Sequence, residues 1–130
     1  LDKQNLERMF DCQITGMAYP YGTYNDEVVQ ILKKCKIQYA RSVVSSGAFK
    51  LQKNLLIFKP TCHHADENIW ELLEKFLKEK SEEKQLFYIW GHSYEFDVNN
   101  NWKRMEEILD RLIGHNNIFY GTNREVLLPC

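Results

Sequence analysis

The stretch QLFYIWGHSYEFD, residues 85–97, decides how the rest of the chain is read. Its first half, Leu86-Phe87-Tyr88-Ile89-Trp90, is apolar throughout, the pattern of a strand covered on both faces in a parallel sheet. It then breaks at Gly91 and presents His92, with Tyr94 and Glu95 close behind. Such a strand places a titratable ring at the carboxyl end of a sheet, where α/β proteins gather their chemistry.

Outward from that strand, apolar runs and amphipathic stripes alternate. ITGMAYP, residues 14–20, reads as a short buried strand closed by the turn Pro20-Tyr21-Gly22. Asn25 and Asp26 offer N-cap oxygens to a helix whose Val28, Ile31, Leu32 and Cys35 follow the i, i+3, i+4, i+7 pattern. IQYARSVV, residues 37–44, and LLIFKPTC, residues 55–62, read as the next two strands, the second ended by Pro60. From Asp66 a helix carries Ile69, Leu72, Leu73, Phe76 and Leu77 on one face. After residues 86–91, Asn99-Asn100-Asn101 caps a helix whose Trp102, Met105, Ile108, Leu109 and Leu112 face inward, and NNIFYGT, residues 116–122, is a last strand. Apolar strands joined by crossover helices predict an α/β fold with parallel β/α units. No linker or repeat interrupts it, so residues 1–130 read as a single domain.

Composition narrows the function. With 17 basic and 18 acidic side chains the net charge is -1, so no basic field exists to hold a nucleic-acid backbone. No apolar run reaches the roughly 18 residues of a membrane span. Leu1-Asp2-Lys3-Gln4 opens no signal peptide, and the missing initial methionine leaves room for an upstream portion. Cys12, Cys35, Cys62 and Cys130 lack C-x-x-C spacing and read as free thiols, which leans toward the cytoplasm while leaving the compartment open. Cys35, on an apolar helix position, is expected to be buried.

Candidate chemistry lies at the strand ends. His92, flanked by Trp90, Tyr94 and Glu95, suits general acid or base work, against the alternative of a histidine that merely closes the strand. His63-His64, with Cys62 and Asp66 nearby, raises a metal cluster. Adjacent side chains on an extended strand point to opposite faces, however, so no metal ligand is assigned and His64 is read as lining a pocket. The Tyr19-Pro20-Tyr21-Gly22 turn offers a backbone N–H to an oxyanion, or is simply a turn. Trp70 and Trp102 read as core, and His115 as surface.

Taken in order, GMAYPYGTYNDEVVQILKKCKIQYARSV, FKPTCHH, LFYIWGHSYEFD and NIFYGTNREV resemble the C-terminal half of the polysaccharide deacetylase family over roughly residues 14–125. These are metal-dependent esterases and amidases that remove acetyl groups from glycans. The resemblance implies a portion of a distorted β/α barrel. It makes Tyr21 the donor of an oxyanion N–H, from an Arg-x-Pro-Tyr/Phe-Gly turn whose arginine slot here holds Ala18. It makes His92 the general acid, from a Leu-x-His motif that here reads Trp90-Gly91-His92. Tyr19, Pro20, Trp90, Tyr94 and His64 become substrate-binding residues for a carbohydrate. The family's Asp-Asp and His-x-x-x-His motifs have no match in these residues. A zinc-like divalent metal is therefore expected in a complete enzyme and none in this chain alone, which is then inactive by itself. The uncovered half-barrel flank near the first strand is a surface for a second copy. A non-catalytic sugar-binding or regulatory domain on the same scaffold is the alternative.

Overall fold

The computed structural model describes residues 2–128, so Cys130 lies outside the described residues. In chain order the elements are α1 (Asp2–Phe10), β1 (Gly16–Ala18), α2 (Asp26–Lys34), β2 (Tyr39–Arg41), β3 (Cys62–His63), α3 (Ile69–Lys78), β4 (Ile89–Trp90), α4 (Tyr94–Val98), α5 (Trp102–Leu112) and α6 (Asn123–Leu127). The class is mixed α/β with short parallel strand pairs, as the apolar runs predict. Two compact units are formed, one from the residues up to Val43, Gln52–Phe58 and those from Tyr120 on, the other from Val44–Leu51 and Lys59–Phe119. No helix among the described residues is long and apolar enough to cross a membrane.

In the first unit β1 and β2 run parallel with Gly16, Met17 and Ala18 opposite Tyr39, Ala40 and Arg41, and α2 is the crossover. Asn25 starts α2 as its residue type predicts, its Oδ1 accepting from Val28 N–H at 2.9 Å. The core is Tyr19, Val29, Leu32, Ile37, Ala40 and Leu56. The buried stripe of α2 is therefore Val28, Val29 and Leu32, while Ile31 and Cys35 face water, contrary to the predicted stripe. A nine-residue helix over two short strands covers only one narrow face, and that face is rotated by one position. The third predicted strand also fails in its first half. Asn54 Oδ1 accepts from Leu56 N–H at 3.2 Å and coils residues 55–57 into a 3₁₀ turn. Only Phe58 bridges β2, donating to Ala40 O at 3.0 Å and accepting from Ser42 N–H at 2.8 Å.

In the second unit β3 and β4 run parallel with Cys62 opposite Ile89 and His63 opposite Trp90, and α3 is the crossover. Cys62, Ile69, Leu73 and Ile108 are fully buried, with Trp70, Leu72, Phe87, Ile89, Met105 and Leu112 packed around them. Phe76 packs instead against Phe49 and Phe87, each at 5.3 Å between ring centroids. Three sequence expectations need correction. The run at residues 86–91 is not a central strand, because among the described residues its strand is Ile89–Trp90 alone, in a two-stranded sheet with β3, and the run is half-buried. On α5 the inward face is Met105, Ile108 and Leu112, with Trp102 and Leu109 about half exposed and no side-chain cap from Asn101. NNIFYGT is no strand: Ile118 N–H turns back to His115 O at 3.1 Å, Phe119 is exposed, and Thr122 with Glu125 forms the capping box of α6.

Candidate functional site

The second ladder brings the titratable side chains together. β3 ends at His63, and the chain turns at once, Asp66 N–H donating to His63 O at 3.0 Å. Arg104 on α5 holds that turn, giving Nε to His64 O at 3.0 Å and Nη2 to Asp66 O at 2.7 Å. Next door, β4 stops at Trp90, Gly91 and His92 follow, and α4 begins, which sets Glu95 in its first turn.

Three imidazoles then converge on one carboxylate. His64 Nε2 lies 2.5 Å from Glu95 Oε2 and His63 Nε2 3.1 Å from the same oxygen. His92 Nδ1 lies 3.2 Å from Oε1, and His92 N–H donates to Oε2 at 3.4 Å. The expectation that His63 and His64 point apart is wrong. Their ring centroids are 4.2 Å from each other, because β3 is two residues long and alternation of faces stops where the turn begins.

The same cluster explains Gly91. A Cβ there would stand 1.8 Å from His64 Cδ2 and 2.6 Å from Nε2, so the buried imidazole occupies the place a side chain would take. Gly91→Ala must displace His64 or the backbone, and should destabilise the chain by about 1–3 kcal/mol while detaching His64 from Glu95. Urea midpoints and the His64 ring resonances check this; an unmoved His64 resonance would refute the close approach.

Electrostatics follow from the crowding. Desolvation pushes the Glu95 carboxyl up, but hydrogen bonds from His64 and from the His92 ring and backbone, with the charge of His63, outweigh it and hold it at about 2. Desolvation, reinforced by His64 and His92, lowers His63 below 6.5 despite the opposing Glu95. Burial, with the Asp66 charge, pushes the Cys62 thiol up to about 12 against the pull of Arg104, so no thiolate is available beside the histidines. Cys12, Cys35 and Cys62 are free.

Both His63 and Glu95 make the protein acid-sensitive. The unfolded chain binds the His63 proton more readily, so stability falls as pH drops below 6.5. The Glu95 contribution is complete above 4.5 and is lost as pH falls toward 2. Urea midpoints should fall between pH 7 and 3, and Glu95→Gln should flatten the portion below pH 4.5. An unchanged acid limb in that variant would show that Glu95 is not specially stabilised when ionised.

The remaining predicted residues fall as follows. Trp90 packs edge-on to His63 and His92, at 4.6 and 5.8 Å between centroids, and exposed Tyr94 lies 5.5 Å from the His92 ring. His64 is buried rather than lining an open pocket. Tyr21 belongs to the other unit, in a 3₁₀ turn over Pro20–Gly22 with φ 55°, its side chain 94% exposed. Among the described residues no acceptor meets its N–H. Gly22, at φ +70° and with Val43 Cγ2 2.3 Å from where a Cβ would sit, is required by that turn. Pro20 is exposed, whereas Tyr19 is 3% exposed, donating its hydroxyl to Leu56 O at 2.6 Å and stacking on Tyr24, so its ring serves the core and not a rim. Sequence reading missed Glu95 as the hub. The signal was its i+3 spacing from His92 at a helix start.

Compared with protein-family models, curated proteins and solved structures, the chain matches none.

Proposed function

We propose that the chain is the C-terminal part of a metal-dependent carbohydrate deacetylase-like hydrolase, and that its parallel β/α units belong to a distorted β/α barrel. The reading is supported by the motif order from Tyr19-Pro20-Tyr21-Gly22 to Trp90-Gly91-His92 and by parallel strand pairs with helical crossovers. The observation that carries it is the His92–Glu95 pair, 3.2 Å from Nδ1 to Oε1 at the end of β4. A carboxylate on one ring nitrogen fixes the imidazole's orientation and tautomer, leaving Nε2 for proton transfer. His92 is half exposed, as a group that meets a polymeric substrate must be. In the proposed reaction His92 Nε2 protonates the leaving amine or alcohol, and the role that the family resemblance gives Tyr21 is to donate its backbone N–H to an oxyanion. The chemistry a divalent cation supplies in such enzymes is a water of lowered pKa at the acyl carbonyl. Trp90 and Tyr94 offer apolar surface to a sugar chain, and the flank near β1 is where a second copy would associate.

The test is the coding sequence ahead of Leu1, which should contain Asp-Asp and His-x-x-x-His, and acetate release from acetylated glycan oligomers by the protein it encodes. An upstream sequence without those motifs, or glycan binding without acetate release, would favour the sugar-binding alternative.

A further inference from the structure

We infer that His63, His92 and Glu95 form a binding site for a borderline divalent cation of the zinc type, within the chain's own second unit. One donor atom from each of the three lies within 4.8 Å of the other two. Zinc bonds of about 2.0–2.1 Å at tetrahedral angles bring ligand atoms to roughly 3.3 Å of one another. Each imidazole already stands at that spacing from a carboxylate oxygen, 3.1 Å for His63 and 3.2 Å for His92. Closing the cluster around an ion asks donor atoms now within 4.8 Å of one another to come to roughly 3.3 Å, an adjustment of side chains and not of strands.

His64 gives the second, independent reason. Its ring is buried, its Nδ1 meets no hydrogen-bond partner among the described residues, and its Nε2 holds Glu95 Oε2 at 2.5 Å. The arrangement is that of a second histidine shell that fixes a ligating carboxylate. Loading requires a change of the His63 tautomer. Ala65 N–H donates to His63 Nδ1 at 3.1 Å, which puts the ring proton on Nε2 toward Glu95. Ligation through Nε2 moves that proton to Nδ1, which breaks the bond from Ala65 N–H and turns that exposed N–H to water. Two imidazoles and one carboxylate select zinc, cobalt or nickel over magnesium and calcium, which require oxygen donors. The half-exposed His92 ring leaves a path for entry.

The site does not depend on the deacetylase reading, and it differs from the hydrolytic centre that reading implies. His92 cannot ligate a cation and donate a proton at the same moment. If His92 is the acid, a cation held here restrains it.

Titrating residues 1–130 with Co²⁺ under reducing conditions tests the site. The expected result is one Co²⁺ per chain, with the visible bands of a low-coordinate N/O centre, no thiolate charge-transfer band, and displacement by Zn²⁺. His63→Ala and Glu95→Gln should each weaken binding by more than the 10–100-fold typical of losing a supporting residue, and His64→Phe by about 10–100-fold. His115→Ala should change nothing. Since substitutions at His63, His64 and Glu95 also alter folding, the wild-type ring resonances give a second reading: Co²⁺ should broaden those of His63 and His92 and spare His115. Absence of the bands, a thiolate band, equal binding of Mg²⁺, or selective broadening at His115 would overturn the proposal.

Discussion

Alanine at His92 should lower acetate release by the complete enzyme about 10²- to 10⁴-fold, the usual contribution of a general acid, equivalent to about 3–5 kcal/mol of transition-state stabilisation. The same substitution should leave the fold nearly intact. The His92 side chain is 50% exposed, and its ring meets Trp90 at 5.8 Å and Tyr94 at 5.5 Å, not the packed core around Ile108. Removing an exposed side chain typically shifts stability within about 0.5 kcal/mol. Activity and stability should therefore separate in this variant. Glu95→Gln gives the complementary measurement. It keeps the shape of the partner while removing the charge that orients the ring, so kcat should fall with little change in KM and the pH profile should move. Initial rates on acetylated oligomers across pH, beside urea midpoints, supply both readings. A His92→Ala enzyme of undiminished rate would end the proposed acid role, and a parallel loss of stability and rate would recast His92 as structural.

The parts of this fold legible in the sequence are those governed by local chemistry. Asn25 caps α2 because its side-chain oxygen reaches Val28 N–H three residues on, an interaction that neighbouring residues alone define. The apolar spacing of Ile69 and Leu73 likewise identifies α3 and its buried face. Strands depend on partners that a linear pattern does not name. Residues 86–91 have the composition of a central strand, yet among the described residues only Ile89 and Trp90 form a strand, paired with β3, and NNIFYGT forms none and becomes a turn leading to a capped helix. The Tyr19 ring illustrates the same limit: its position beside the Pro20 turn suggested a rim, but Leu56 O, 37 residues away in sequence, draws its hydroxyl inward.

The site was legible in its ingredients and not in its geometry. His92 and Glu95 stood together in the quoted stretch, and His63-His64 in another. What joins them is the parallel register that sets His63 beside Trp90, together with a turn that breaks strand alternation before His64. Gly91 shows the dependence most plainly. Read alone it is a strand terminator; in the fold it is the space that the His64 ring fills.

Truncating Leu73 or Ile108 to alanine should each cost about 2–5 kcal/mol of stability, the range for buried large-to-small changes. Both side chains are 0% exposed and belong to one cluster with Cys62 and Ile69, so the surrounding atoms have little freedom to close the space left behind. For a domain whose whole stability is about 5–15 kcal/mol, one such change removes a large share. The two positions sit on α3 and α5, which pack against each other. The double variant should therefore depart from the sum of the single ones, as neighbours in one core do. Leu109 supplies the control. It follows Ile108 in the chain and carries the same kind of side chain, but it is 47% exposed, and Leu109→Ala should cost well under half as much, since most of its apolar surface is already in water. Cys62 precedes His63 on β3, so loosening this cluster should also disturb the histidines. In Leu73→Ala the His63 and His64 ring resonances should broaden before global unfolding begins. Urea titrations of the three single variants and the double variant decide the matter, and a Leu109→Ala loss equal to that of Ile108→Ala would show that the buried face of α5 is wrongly assigned.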